Sequence, residues 1–272
     1  MGEYEMLKKL GPIGFIRSIF HILAGKPQVP PSLEDNELLH TILRRRSVRR
    51  FAEREIPDDV FSAILEAGRL APSTVNLQTW AFAVFSGESW AETFGRPIPF
   101  KGKRAVIVMG DTHRGQLVAG AFPSSPLVEY TVAVINASLA AMNMCIAAEA
   151  LGVSSVMLSE TGRSGFLDAG YLKQKLSLPG GVFPLMTVIF GYARGPYPAM
   201  PPKLPLEQIC FEGKYREADG EVMEDWLAQM VAGYKARSPL SSFEAQLRVY
   251  QTKIGKAEAD LKEMVFHRER AL

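Results

Sequence analysis

Five arginines fall within the seven residues Arg44–Arg50, interrupted only by Ser47 and Val48. A guanidinium is a rigid fork of donors that matches phosphate oxygens, and a serine in the same turn adds a hydroxyl and a backbone N–H. Such a cluster has three readings: solvated surface charge, a nucleic-acid patch, or an anion site for a ligand. Lys+Arg total 31 and Asp+Glu 29, a net +2, so no broad polyanion-binding face is expected and nucleic acid is the weakest of the three. The charge is local and asks for a local anion. Shortly downstream, APSTVNLQTWAF (Ala71–Phe82) places small, turn-forming residues ahead of Trp80.

Other chemistries find little support. Cys145 and Cys210 lie far apart and form no CxxC pair, which excludes a disulfide framework or iron–sulfur module and fits a reducing cytoplasm. The four histidines are scattered, so no metal site is expected. No Ser/His/Asp or Cys/His nucleophile arrangement stands out, and no side chain is assigned as catalytic. His113, in the loop GDTHRGQLVAGAFPSSP, is a candidate proton donor, though a loop histidine is more often simply solvated. Phe122 of the same loop is a candidate pocket residue.

The elements that must hold the arginines are legible in part. Ser32 with Asp35 reads as a capping box ahead of a helix carrying Leu39, Ile42 and Leu43 on one face. IPDDVFSAILEAGRLAP is a second helix, with Asp58 and Asp59 at its positive end and Pro72 beyond it. WAFAVFS, RAVIVMG, VSSVMLS and LMTVIFGYA read as strands. Between the second and third runs a long alanine-rich helix, apolar on more than one face and so expected to be central and buried. The order lacks βαβ alternation and has no GxGxxG after a strand, so the class is α+β, one sheet with helices over it, and not a Rossmann domain.

Both ends differ from the middle. GPIGFIRSIFHILAG reads as an amphipathic helix with Phe15, Ile16, Ile19, Phe20 and Leu23 at helical spacing. It is too short to span a bilayer. It is either a docking arm on the protein's own surface or a membrane-surface contact. After Pro239, Phe243, Leu247, Tyr250, Ile254, Ala257, Leu261 and Met264 alternate steps of four and three, a heptad seam that needs a partner helix. The division expected is an arm and linker over 1–31, a ligand-binding domain over 32–215, and a helical extension over 216–272, packed on a partner subunit.

RRRSVRRF…IP…ILEAGRLAPSTVNLQTWAF resembles the nitroreductase family of FMN-dependent oxidoreductases. The likeness rests on Arg45, Arg46, Ser47, Arg49, Phe51, Ile56, Pro57, Ala71, Pro72, Ser73, Asn76, Gln78 and Trp80, with Thr79 where the family usually has proline. AAMNMCIAAEALGVSSVML and MTVIFGYARGPYPAMPPKLPLEQI resemble its long helix and strand and its last core strand and tail. The likeness covers roughly residues 36–212.

The resemblance implies a mainly antiparallel sheet in an intertwined homodimer with shared sites. It implies FMN, its phosphate on Arg45, Arg46, Ser47 and Lys203, with Leu204 where the family often has a second tail cation. It implies Arg49 at the flavin's pyrimidine edge, where a cation favours the reduced ring. Pro72, Ser73 and Asn76 would reach the partner's flavin, and Leu158, Ser159 and Glu160 would line its reactive edge. For Asn76 a local turn role stands beside this reading. Trp80 reads as core. The implied activity is ping-pong hydride transfer from NADH or NADPH through the flavin to a nitroaromatic, quinone or activated alkene. A flavin-binding protein with little turnover and a membrane-associated quinone reductase are the alternatives.

Overall fold

The computed structural model describes residues 3–27, 29–116, 125–159, 168–237 and 243–266. In chain order the helices are α1 (Glu3–Ala24), α2 (Glu37–Arg44), α3 (Asp58–Arg69), α4 (Gly87–Phe94) and α5 (His113–Gln116). Then come α6 (Pro126–Ala150), α7 (Ala169–Lys175), α8 (Leu206–Ile209), α9 (Gly220–Arg237) and α10 (Phe243–Phe266). The strands are β1 (Trp80–Ser86), β2 (Arg104–Asp111), β3 (Ser154–Leu158) and β4 (Val182–Gly191). The chain divides into two compact units, residues 31–197 with 253–272, and residues 1–30 with 198–252.

The first unit holds the sheet. Its strand order is β1-β2-β4-β3 and every pairing is antiparallel, so the α+β reading stands. β2 and β4 are buried on both faces, which is why they read as unbroken apolar runs. Their side chains alternate between two layers. Val106, Val108, Val188 and Phe190 meet Phe61 and Ile64 of α3 and Ala137, Ala141 and Met144 of α6. Ala105, Ile107, Met109 and Ile189 meet Trp90 and Phe94 of α4, with Val48 and Phe51 of the arginine turn. Each fully buried large apolar side chain contributes about 1.5–3 kcal/mol.

Several details differ from expectation for identifiable reasons. β4 begins at Val182, before Pro184, because a register shift between Val108 and Met109 of β2 absorbs the missing proline N–H. The cap of α2 is Asn36, whose side chain accepts from the Leu39 N–H at 2.9 Å, while Ser32 lies in a single 3-10 turn. α4 is an added helix, closed at its start by a reciprocal Ser86–Ser89 cap.

α6 is central, but only one face is covered. Gly68 of α3 comes so close that a Cβ there would lie 2.7 Å from Met144 Cγ. Val128, Ile135, Leu139 and Met142 form an exposed stripe on the other side. Among the described residues α6 alone is long and apolar enough to cross a membrane, and it packs its buried face on the sheet like a core helix. At the chain's end Ala257, Met264 and Val265 of α10 are buried, and Asp260 accepts from the Gly170 N–H at 3.3 Å. Leu247 and Ile254 of the same heptad seam are exposed.

In the second unit α1 packs on α9. Leu10 meets Ala228 and Val231, and a Cβ on Gly233 would lie 2.9 Å from Ile22 Cδ1. α1 bends at Gly11, whose φ of 62° and ψ of 176° are non-helical, just before Pro12. The helix is apolar on two sides, not one: Leu10, Ser18 and Ile22 face inward, while Ile13, Ile16, Phe20 and Leu23 are exposed.

Candidate functional site

The arginine turn leaves α2 and is stitched to the sheet as an extra edge. The Val48 N–H donates to Ser155 O at 3.1 Å, beside a parallel bridge between Ser47 and Ser155. The Ala52 N–H donates to Tyr192 O at 2.8 Å and the Arg194 N–H to Arg50 O at 2.8 Å. Val48 and Phe51 point into the core, so Arg49 and Arg50 between them point out. Gly191 is required here, since a Cβ would fall 2.7 Å from the Phe51 ring.

The arginines divide the work. Arg44 Nε lies 3.5 Å from Glu149, a carboxylate only 3% exposed at the end of α6. An acid opposes the helix dipole there and needs a cation. Tyr197 donates its phenol to the same carboxylate at 3.2 Å and sits 2.9 Å from the Ser154 hydroxyl. Burial pushes the Tyr197 phenol up, so it stays protonated and able to donate. Arg46 Nη1 donates to Leu43 O at 2.6 Å and Arg45 O at 2.9 Å, closing the free carbonyls of α2. Arg49 Nη1 reaches Ser47 O at 3.4 Å. Arg45, half-buried, lies near the Cys145 thiol, which burial pushes up against the opposing pull of Ser155 and Arg45.

The second motif is a strained loop. Val75, Asn76 and Gln78 have φ values of 50°, 56° and 48°, a left-handed region costly for residues with side chains. Asn136 of α6, 1% exposed, holds the loop in place. Its Oδ1 accepts from the Thr74 N–H at 3.2 Å, and its Nδ2 donates to Thr79 Oγ1 at 2.8 Å. Ser73 Oγ accepts from the Gln78 N–H at 3.1 Å. Asn76 is exposed, as is Pro72, and Val75 is 81% exposed. Trp80 is in the core.

These two motifs are diagonally opposed within one chain. Ser155, which holds the arginine turn, is in line with Phe190, Arg104 and Ser86 across the sheet. Loop 73–78 enters β1 at Trp80, at the other end of that strand and on the other edge. Three strand spacings of about 4.8 Å and six residues of about 3.4 Å separate them by roughly 25 Å.

The remaining expected residues are dispersed. Leu158 is buried at the end of β3 and Ser159 follows it half-buried, beyond the arginine turn along the same edge strand. Glu160 and Phe122 lie outside the described residues. His113 Nδ1 is 3.1 Å from Gly180 O, which gives that ring nitrogen a structural partner. Lys203 is exposed and belongs to the second unit. Glu149 and Asn136 were not foreseen. Their signals are present: an acid in the last turn of a helix, and an amide within an apolar, alanine-rich one.

The sequence model of the nitroreductase family matches residues 42–192. A putative NADH dehydrogenase/NAD(P)H nitroreductase of Archaeoglobus fulgidus is 32% identical over 164 residues, 58% of this chain and 86% of that protein. Among solved structures, B. megaterium NfrA2 superposes with a TM-score of 0.71 at 21% identity, over 86% of this chain and all of that one. An NADPH:FMN oxidoreductase from Vibrio harveyi, solved with NAD+, superposes with a TM-score of 0.65 at 19% identity, over 80% of this chain and 92% of that one. The structural likenesses show the fold. The chain belongs to the nitroreductase family.

Proposed function

We propose that this protein is an FMN-dependent NAD(P)H oxidoreductase that works as a homodimer with shared sites. The observation that carries the reading is the arginine turn, a cationic segment with its backbone fixed on an exposed sheet edge. The residues there fit a flavin mononucleotide. Arg45 and Ser47 supply a fork of donors and a hydroxyl for the phosphate, with Arg46 holding the turn's shape and offering its remaining donors. Arg49 faces out from the same edge. Leu158 ends β3 and Ser159 follows it, and the backbone of these two residues is proposed to meet the ring. The names of the Archaeoglobus and Vibrio relatives support the nicotinamide donor and the flavin.

Bound FMN would supply the redox chemistry, a ping-pong hydride transfer between NADH or NADPH and a small oxidised acceptor such as a nitroaromatic, quinone or activated alkene. The chain's own residues bind and orient. Arg49 would place positive charge near the pyrimidine edge, which would favour the reduced ring. His113 stands at the loop 73–78 end of the sheet and is proposed as a pocket residue there. No side chain is assigned an acid–base step.

The diagonal separation supports the dimer reading. An FMN held by the arginine turn would lie at one edge of the sheet, while Pro72, Ser73 and Asn76 stand at the other. A second copy would bring its loop 73–78 to that flavin. The exposed stripe of α6, with Leu70, Val75 and Leu77, supplies an apolar face for the contact. A cytoplasmic location accords with the reduced cysteines.

Anaerobic titration of FMN-loaded protein with NADH and NADPH tests the activity. Rapid bleaching of the flavin bands by at least one donor is expected. Flavin that stays oxidised with both would overturn the enzyme reading in favour of a binding role.

A further inference from the structure

Over Leu10–Leu23, α1 carries large apolar residues on two sides, yet only one of those sides is covered. Here the face bearing Leu10, Ser18 and Ile22 sits against α9. The opposite face carries Ile13, Ile16, Phe20 and Leu23, exposed at 84%, 55%, 66% and 68%. Their steps of three, four and three place all four on one stripe. Large apolar side chains do not gather on a solvated helix face without an apolar phase to receive them.

Charge selects what that phase is. From Met6 to Leu33 the sequence contains no Asp or Glu, in a chain with 29 of them. The same stretch carries Lys8, Lys9, Arg17 and Lys26, with His21. Arg17, His21 and Lys26 are exposed on or beside the stripe. A second copy seated face to face would bring these cations together with no acid to meet them, because a two-fold contact pairs a surface with itself. An anionic lipid surface offers the opposite charge and an apolar interior at one place.

We propose that the open face of α1 lies in the surface of an anionic bilayer, with Ile13, Ile16, Phe20 and Leu23 in the acyl boundary and Arg17 and Lys26 at the headgroups. The buried face of the helix stays on α9, so the protein docks without α1 unfolding from its own unit. This inference is independent of the flavin reading and stands or falls separately.

The test is co-sedimentation of the full-length protein with phosphatidylcholine vesicles, with and without phosphatidylglycerol. The protein is expected to pellet with the phosphatidylglycerol vesicles, less so as salt is raised. Ile16→Glu with Phe20→Glu is expected to lower the partition coefficient on the order of ten-fold or more, with an unchanged thermal melt because both positions are exposed. Arg17→Glu leaves the stripe whole and is expected to weaken binding to the anionic vesicles alone. Wild-type protein that stays in the supernatant with anionic vesicles would overturn the proposal. So would a double variant that pellets as wild type does, or one whose molar mass by light scattering falls while wild type ignores vesicles, which would make the face a self-contact.

Discussion

Asn136 and Glu149 stand thirteen residues apart on α6, which spaces them about 20 Å along one helix axis. Asn136 grips loop 74–79, and Glu149 grips the arginine turn through Arg44. One rigid helix therefore fixes the separation of the two motifs by which the family was recognised. This agrees with the diagonal read from strand register.

Asn136→Ala is expected to destabilise the protein by about 1–3 kcal/mol, since it strands the Thr79 hydroxyl and Thr74 N–H that it now satisfies. Urea unfolding measures this. Thr79→Val removes the Thr79 hydroxyl and leaves Asn136 accepting from the Thr74 N–H. It should cost less than Asn136→Ala, and a loss as large as alanine's would assign the grip to the Thr79 contact.

Glu149→Gln tests the other grip. It removes the charge that Arg44 and Tyr197 share, and is expected to cost about 1–3 kcal/mol by the same measurement. Arg44 is largely exposed, so its own loss should cost less, and Arg44→Ala in the Glu149→Gln background should add little. Additive effects would show that the pair does not act together.

The fold was legible because its signals are local. All four strands announced themselves as short apolar runs, α3 by the acids and prolines at its ends, and α6 by its alanine-rich, apolar length. α4 was less visible, since its cap Ser86 doubles as the last residue of β1. Arg45, Ser47 and Arg49 were legible by their crowding, but the role of Arg46 at the end of α2 depends on backbone carbonyls that no sequence pattern displays. Glu149 and Asn136 are distant in sequence from the segments they hold, and only packing brings them there. The two faces of α1 were similarly invisible, because the spacing marks apolar residues without saying which side α9 covers.

The two cysteines should differ sharply in reactivity. The thiolate is the reactive form, and burial raises the Cys145 pKa above the ordinary thiol value. At any pH near or above neutrality the thiolate fraction at Cys145 is thus smaller than at an unperturbed thiol, and the site is closed. Cys210 is exposed. Iodoacetamide followed by mass spectrometry should label Cys210 in native protein and Cys145 only after denaturant is added. Native labelling of both at equal rates would contradict the packing around α6.

Ile135→Asp places a charge on the exposed stripe of α6. If two copies meet there, the variant is expected to elute as a monomer on size exclusion with light scattering and to lose flavin along with the contact. A dimer of unchanged mass that keeps its flavin would remove this face from the account.

The central claim is that the arginine turn holds the phosphate of FMN, and it can be read by comparing FMN with riboflavin, which lacks that phosphate. Fluorescence quenching should show wild-type protein binding FMN far more tightly than riboflavin. Arg45→Ala should lose at least about ten-fold in FMN affinity, ~1.4 kcal/mol, with its riboflavin affinity unchanged. Equal affinity of wild-type protein for the two flavins, or FMN binding indifferent to Arg45, would contradict the assignment of this turn to the cofactor.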